Sequence, residues 1–139
     1  MAEPRKQQVV RFKMVNPVFV VSDVAVAAEY YRDVLGFKIL GYFLDPPVFA
    51  MVARDEVEIH FAKTDDGAVP SPNVARRRIA VDAYIWVNDL DSLHAELKSR
   101  GATIVEPPTL RVYKCYEMVV ADHFGFRLAF SMDYSGQPD

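Results

Sequence analysis

Apolar and polar residues change their period several times along this chain, and the changes mark out one unit written twice. Val20-Val21-Ser22-Asp23-Val24 and Trp86-Val87-Asn88-Asp89-Leu90 each read as an apolar strand end followed by a carboxylate and a helix start. An aspartate at that point accepts free amide N–H groups and favours the positive end of a helix. Behind it, Ala25, Ala28, Tyr31, Val34 and Leu35 line one helical face as far as Gly36, and Leu90, Leu93 and Leu97 do so as far as Gly101. Glycine closes a helix because it takes left-handed backbone without strain. Gly36 lies 13 residues after Asp23 and Gly101 lies 12 after Asp89. Two copies of one supersecondary unit are the reading this supports.

After each glycine comes a run of β-type residues, Phe37 to Leu44 in the first half and Ala102 to Val105 in the second. Pro46-Pro47 and Pro107-Pro108 follow these runs and are expected to break each strand into a turn. Further strands are predicted over Val48 to Ala53, Val57 to Ala62, Tyr116 to Ala121 and Phe126 to Ser131. Each half is therefore strand, helix and three strands. Residues 1–139 are read as one domain, with a first module at about 14–62, a linker at 63–79 that contains Asp65-Asp66-Gly67, Pro70 and Pro72, and a second module at about 80–132.

Composition narrows the function classes. With 51% hydrophobic and 25% charged residues, the chain has the apolar content of a globular core. A net charge of −3 and a pI near 5.6 lack the basic excess that phosphate neutralisation needs, so nucleic acid is not an expected partner. Arg76, Arg77 and Arg78 form the one dense basic run, which reads as a solvated loop or strand entry. No apolar stretch approaches the roughly 20 residues that span a bilayer, so no membrane partner is expected. A single cysteine, Cys115, has no internal disulfide partner, and no secretory signal pattern stands at the N-terminus, so a cytoplasmic location is expected.

The residues from Met14 to Met132 carry a family resemblance. Val20-Val21-Ser22-Asp23 followed by Tyr30-Tyr31-Arg32-Asp33-Val34-Leu35-Gly36-Phe37 resembles the opening of the glyoxalase/bleomycin-resistance/extradiol-dioxygenase (vicinal oxygen chelate) superfamily. Tyr84 to Leu90 with Gly101 is similar to its fifth strand and second helix, and Asp122-His123-Phe124-Gly125 to its Asp-Pro-Asp-Gly turn, keeping the first and last residues. The resemblance implies an α+β fold of two βαβββ modules that form a curled mixed sheet with helices outside. It also implies a homodimer that completes its clefts by pairing modules. Metal-dependent members place ligands on the first, fourth, fifth and eighth strands, which here correspond to Asn16, Glu58, Asp82 and Ala129. A transition metal wants three or four His, carboxylate or thiolate donors, so neither a metal nor any other cofactor is expected.

Strand parity then selects the cleft residues, because alternate side chains face opposite sides of a sheet. Val57, Ile59 and Phe61 form one apolar face and leave Glu58 and His60 on the other. Val81, Ala83, Ile85 and Val87 leave Asp82, Tyr84 and Trp86, and Phe126, Leu128 and Phe130 leave Arg127, Ala129 and Ser131. The predicted ligand-binding set is Phe49, Glu58, His60, Asp82, Tyr84, Trp86, Tyr116 and Arg127. Carboxylates would attract a cation, and the aromatic rings would stack on planar groups. The bland alternative is that Tyr84 and Trp86 cap the sheet or fill a dimer interface, that the carboxylates are simply exposed, and that Cys115 is inert. By resemblance to bleomycin-resistance members, the expected function is metal-free binding of an aromatic or cationic small molecule. The alternative is a lyase, isomerase or dioxygenase of the same superfamily, either metal-dependent or using His60 and Glu58 as an acid–base pair. The residues alone do not name a catalytic group.

Overall fold

The computed structural model describes residues 8–136; residues 1–7 and 137–139, the ends of the expected 1–139 unit, lie outside the described residues. Module one comprises β1 (Val18–Val21), α1 (Val24–Asp33), β2 (Lys38–Phe43), β3 (Phe49–Arg54) and β4 (Val57–Lys63). A single turn of 3-10 helix at Asn73–Ala75 interrupts the linker. Module two comprises β5 (Ala83–Trp86), α2 (Leu90–Ser99), β6 (Thr103–Leu110), β7 (Cys115–Ala121) and β8 (Arg127–Asp133).

The helix starts follow from the two aspartates. Asp23 Oδ1 accepts from the amides of Ala25 at 3.0 Å and Val26 at 3.1 Å, and Asp89 accepts from the Ser92 amide at 3.1 Å and its hydroxyl at 2.7 Å. Each carboxylate satisfies amides that the first helical turn cannot pair internally. Gly36 follows α1 at φ +75°, where any side chain is strained, and a Cβ there would lie 2.7 Å from Arg54 Nη1.

Each module makes one four-stranded mixed sheet, ordered β1-β4-β3-β2 and β5-β8-β7-β6. β1 runs parallel to β4 and β5 parallel to β8, while the remaining pairs are antiparallel. The internal repeat of the sequence is thus a repeat of topology. One expectation fails: β6 does not break at Pro107-Pro108 but continues to Leu110. β6 is the edge strand of its sheet, and its register skips between Glu106 and Thr109. A bulge at an edge tolerates residues that lack an amide donor.

One core unites both modules. Tyr31, Leu35, Val52, Ile59 and Phe61 meet Leu90, Leu97, Met118, Val120 and Leu128 in a single buried cluster. Phe19 of β1 stacks on Phe126 just before β8, with ring centroids 4.6 Å apart. Tyr31 of α1 donates its hydroxyl to Asp122 Oδ2 at 2.7 Å, and Arg54 at the end of β3 forms a two-pronged pair with Glu96 of α2, both bonds at 2.8 Å. Polar ties therefore join the modules both within the shared core, at Tyr31–Asp122, and at its margin, at Arg54–Glu96.

Candidate functional site

Packing on the helices decides which way each strand faces. On β4, Ile59 and Phe61 are fully buried, Phe61 lying 4.9 Å from the Tyr31 ring, so Glu58 and His60 point to the opposite, helix-free face. Their side chains meet there, His60 Nε2 lying 2.5 Å from Glu58 Oε2. Phe49 stands edge-on to the His60 ring at 5.5 Å, and Met51 is the register partner of His60 on β3. Glu58, His60 and Phe49 therefore form one cluster on the open face of the first sheet.

Tyr84 and Trp86 sit on β5 with alternating neighbour Ile85 buried, and they are 54% and 62% exposed. Large aromatics left that exposed are not held by the core of this chain. Arg127 shares their face, since Tyr84 pairs with Ala129 and Trp86 with Ser131 along β8. Asp82 is engaged by the backbone: Oδ1 accepts from the Asn73 amide and Oδ2 from the Arg127 amide, both at 2.8 Å. It thus pins the linker to the start of β8. Tyr116 lies on the other side of its sheet, in phase with the buried Met118 and Val120. Its hydroxyl donates to Asp91 of α2 at 2.7 Å, and that hydrogen bond, with burial, pushes its pKa up to about 12. Among the described residues, no hydrogen bond, ion pair or ring contact joins the Glu58–His60–Phe49 cluster to Tyr84, Trp86 or Arg127.

Sequence parity missed a polar cluster on the open face of the second sheet. Glu117 of β7 is only 3% exposed although it faces away from the helices. Its carboxylate accepts from Ser131 Oγ at 3.0 Å, from Arg111 Nε at 3.2 Å and from the Tyr113 hydroxyl. Arg111 also donates to Glu106. Arg111 and Tyr113 come from the turn between β6 and β7, so the turn's side chains reach back over the sheet. Burial together with the Glu117 carboxylate raises the Tyr113 pKa well above the usual tyrosine range, and Tyr84 is close enough to act on it electrostatically. The sequence signal was a lone carboxylate in the otherwise apolar run from Tyr116 to Val120.

Two crevices open between the modules. One of about 780 Å³ is bordered by Arg54, Val57, Ile85, Trp86, Asp89 and Phe130. The other, of about 660 Å³, lies under the linker beside Val18, Val20 and Asp82. Of the predicted site residues, Trp86 borders the first crevice and Asp82 the second.

The metal positions implied by resemblance do not fit a metal. Ala129 carries no donor, Asn16 a weak one, and both Asp82 oxygens already accept backbone amides. Among the described residues no cluster of three or more His, Cys, Asp or Glu side chains is placed to hold an ion.

Solved structures share this architecture. The bleomycin-binding protein of bleomycin-producing Streptomyces verticillus, solved with copper(II)-bleomycin, is 26% identical with a TM-score of 0.67, over 88% of this chain and 97% of that one. TioX from Micromonospora sp. ML1 is 17% identical with a TM-score of 0.69, over 88% of this chain and 99% of that one. A glyoxalase/bleomycin resistance protein/dioxygenase from Nocardioides is 17% identical with a TM-score of 0.67, over 93% and 88%. No curated protein sequence matches the chain. The family model of the Glyoxalase/Bleomycin resistance protein/Dioxygenase superfamily matches residues 12–130. With that match across nearly its whole length, on two βαβββ modules built as the superfamily builds them, this chain belongs to the Glyoxalase/Bleomycin resistance protein/Dioxygenase superfamily.

Proposed function

We propose that this protein binds a planar, cationic small molecule without a metal of its own, on the open faces of its two sheets. The observation that carries this function is the pair of exposed aromatics, Tyr84 and Trp86, side by side on one edge strand away from the core. Exposed rings offer stacking and cation–π surfaces, worth roughly 0.5–2 kcal/mol for each cation–π contact. Glu58 and His60 on the first sheet, and Arg127 on the second, supply polar contacts. Asp82 adds negative charge at the β5 entry, while Tyr116, turned toward α2, supports the sheet. The 26% identical relative solved with copper(II)-bleomycin supports binding of a small molecule, and in this reading sequestering an antibiotic would give resistance.

A homodimer would bring the open face of one module over that of another. Exposed Val18 and Val20 on β1, and Phe12, Met14 and Val15 before it, support such a pairing. No helix among the described residues is long and apolar enough to cross a membrane. The unpaired Cys115 supports a reducing compartment such as the cytoplasm. A second function, acid–base catalysis, is favoured by one specific observation, the 2.5 Å contact between His60 and Glu58, since a carboxylate that orients an imidazole prepares it as a base.

The test is titration of the protein with bleomycin, metal-free and copper-loaded, while following Trp86, the only tryptophan in the chain. Saturable quenching or a spectral shift supports binding near β5. Unchanged emission at millimolar ligand would overturn it.

A further inference from the structure

We infer that Glu117 is the recognition carboxylate for a guanidinium or amidinium group on the ligand, which would take the place at Glu117 that the Arg111 side chain holds in this structure. Trp86, Ser131, Glu117 and Thr109 are consecutive register partners, so they form one row straight across β5, β8, β7 and β6. Glu117 stands two strands from Trp86, about 10 Å at the usual strand spacing. A flat molecule stacked on Trp86 reaches Glu117 with a cationic end group.

A buried carboxylate needs matched donors. Ser131 is a fixed donor from the neighbouring strand, whereas Arg111 and Tyr113 belong to the turn and hold Glu117 only through their side chains. The turn backbone is closed independently, by Arg111 N donating to the Cys115 carbonyl at 2.9 Å and Lys114 N to the Arg111 carbonyl at 3.0 Å. Exchange at Glu117 therefore requires rotation of two side chains and no opening of the hairpin. Arg111 keeps a partner when it leaves, because its Nη2 already donates to the more exposed Glu106. Guanidinium and amidinium groups present the same planar fork of N–H donors that Arg111 now supplies. An anionic ligand would meet Glu117 and Glu106 as like charges, and a neutral one would leave Glu117 without a counter-charge.

This recognition rests on the proposed cleft function, and two probes separate the two claims. Diminazene is flat with an amidinium at each end; diphenyltriazene has the same flat frame without the amidinium groups. Both are titrated against Trp86 emission. Diminazene is expected to bind wild type, with affinity falling about tenfold or more in Glu117→Gln and rising severalfold in Tyr113→Phe, which removes one competing donor. Diphenyltriazene binding is expected to be unchanged in both variants. If Glu117→Gln does not fold, Tyr113→Phe decides, because its side chain is half-exposed and tolerates the change. Equal diminazene affinity in Glu117→Gln and wild type, or weaker affinity in Tyr113→Phe, would overturn the recognition role while leaving the aromatic cleft in place. Failure of both probes to affect Trp86 would overturn the recognition role together with the cleft function.

Discussion

The hydrogen bond from Tyr31 to Asp122 ties α1 of one module to the turn before β8 of the other, and Tyr31→Phe removes the hydroxyl alone. The phenyl ring keeps its contacts with Phe37 at 5.4 Å and Phe61 at 4.9 Å, so no cavity forms. Asp122 retains the amides of Phe124 and Phe126, each at 2.9 Å, but loses its side-chain donor in a site only 7% exposed. A buried bond to an ionised group contributes about 2 kcal/mol, which corresponds to about 6 °C in thermal midpoint for a domain of this size. The effect depends on pH in a definite direction. Burial raises the Asp122 pKa above its unfolded value of about 3.9. Its contribution to stability is therefore complete below that value and lost as pH rises through the folded pKa. The Tyr31 hydroxyl opposes the rise by stabilising the carboxylate. Removing it pushes the folded pKa higher still, so the cost of the variant grows as pH rises from about 4 toward neutral. Urea unfolding of wild type and Tyr31→Phe across that range measures the difference. A cost under about 0.5 kcal/mol at neutral pH, or a cost that does not change with pH, would refute the reasoning.

Glu96→Gln should cost about 1 kcal/mol, because the pair with Arg54 is about one-third exposed and screened by solvent; unfolding at low and high salt should show the cost shrinking with ionic strength. Arg54 holds the Glu96 carboxyl below its ordinary range, so this contribution is present at neutral pH and is lost as pH falls through the folded value. Gly36→Ala should cost more than Gly101→Ala: both residues have positive φ, but a Cβ at Gly36 meets Arg54 at 2.7 Å while one at Gly101 has nothing within 4 Å. Thermal unfolding of the two variants, each expected to lose at least about 1 kcal/mol from backbone strain, tests the ordering. Added Zn²⁺, Ni²⁺ or Fe²⁺ should leave the thermal midpoint unchanged, since a real site would raise it with metal concentration.

Much of the fold was legible because it is local. The Asp23 and Asp89 caps, the closing glycines and the alternation along β4 and β5 each follow from neighbouring residues, and the chain places them as expected, whereas on β8 Ala129 and Ser131 are as buried as Leu128 and Phe130. Continuation of β6 through Pro107-Pro108 was not legible, because an edge position and a register skip are properties of pairing. The candidate site residues were legible by strand face but not by partner. Parity put Glu58, His60, Tyr84 and Trp86 on open faces, yet it could not know that Asp82 would bind two distant amides or that Arg111 and Tyr113 would fold back onto Glu117. Tyr116 needed the phase of β7 relative to α2, which only Met118 and Val120 inside the core reveal.

Calorimetric titration of wild type and Trp86→Ala with bleomycin, alongside their unfolding curves, tests the cleft-binding claim most directly. Because Trp86 is 62% exposed, its loss should weaken binding by about 1–3 kcal/mol and cost far less stability than the roughly 3–5 kcal/mol of a buried aromatic. Equal affinity in the two proteins, or a Trp86→Ala chain that fails to fold, would contradict a ligand cleft at β5.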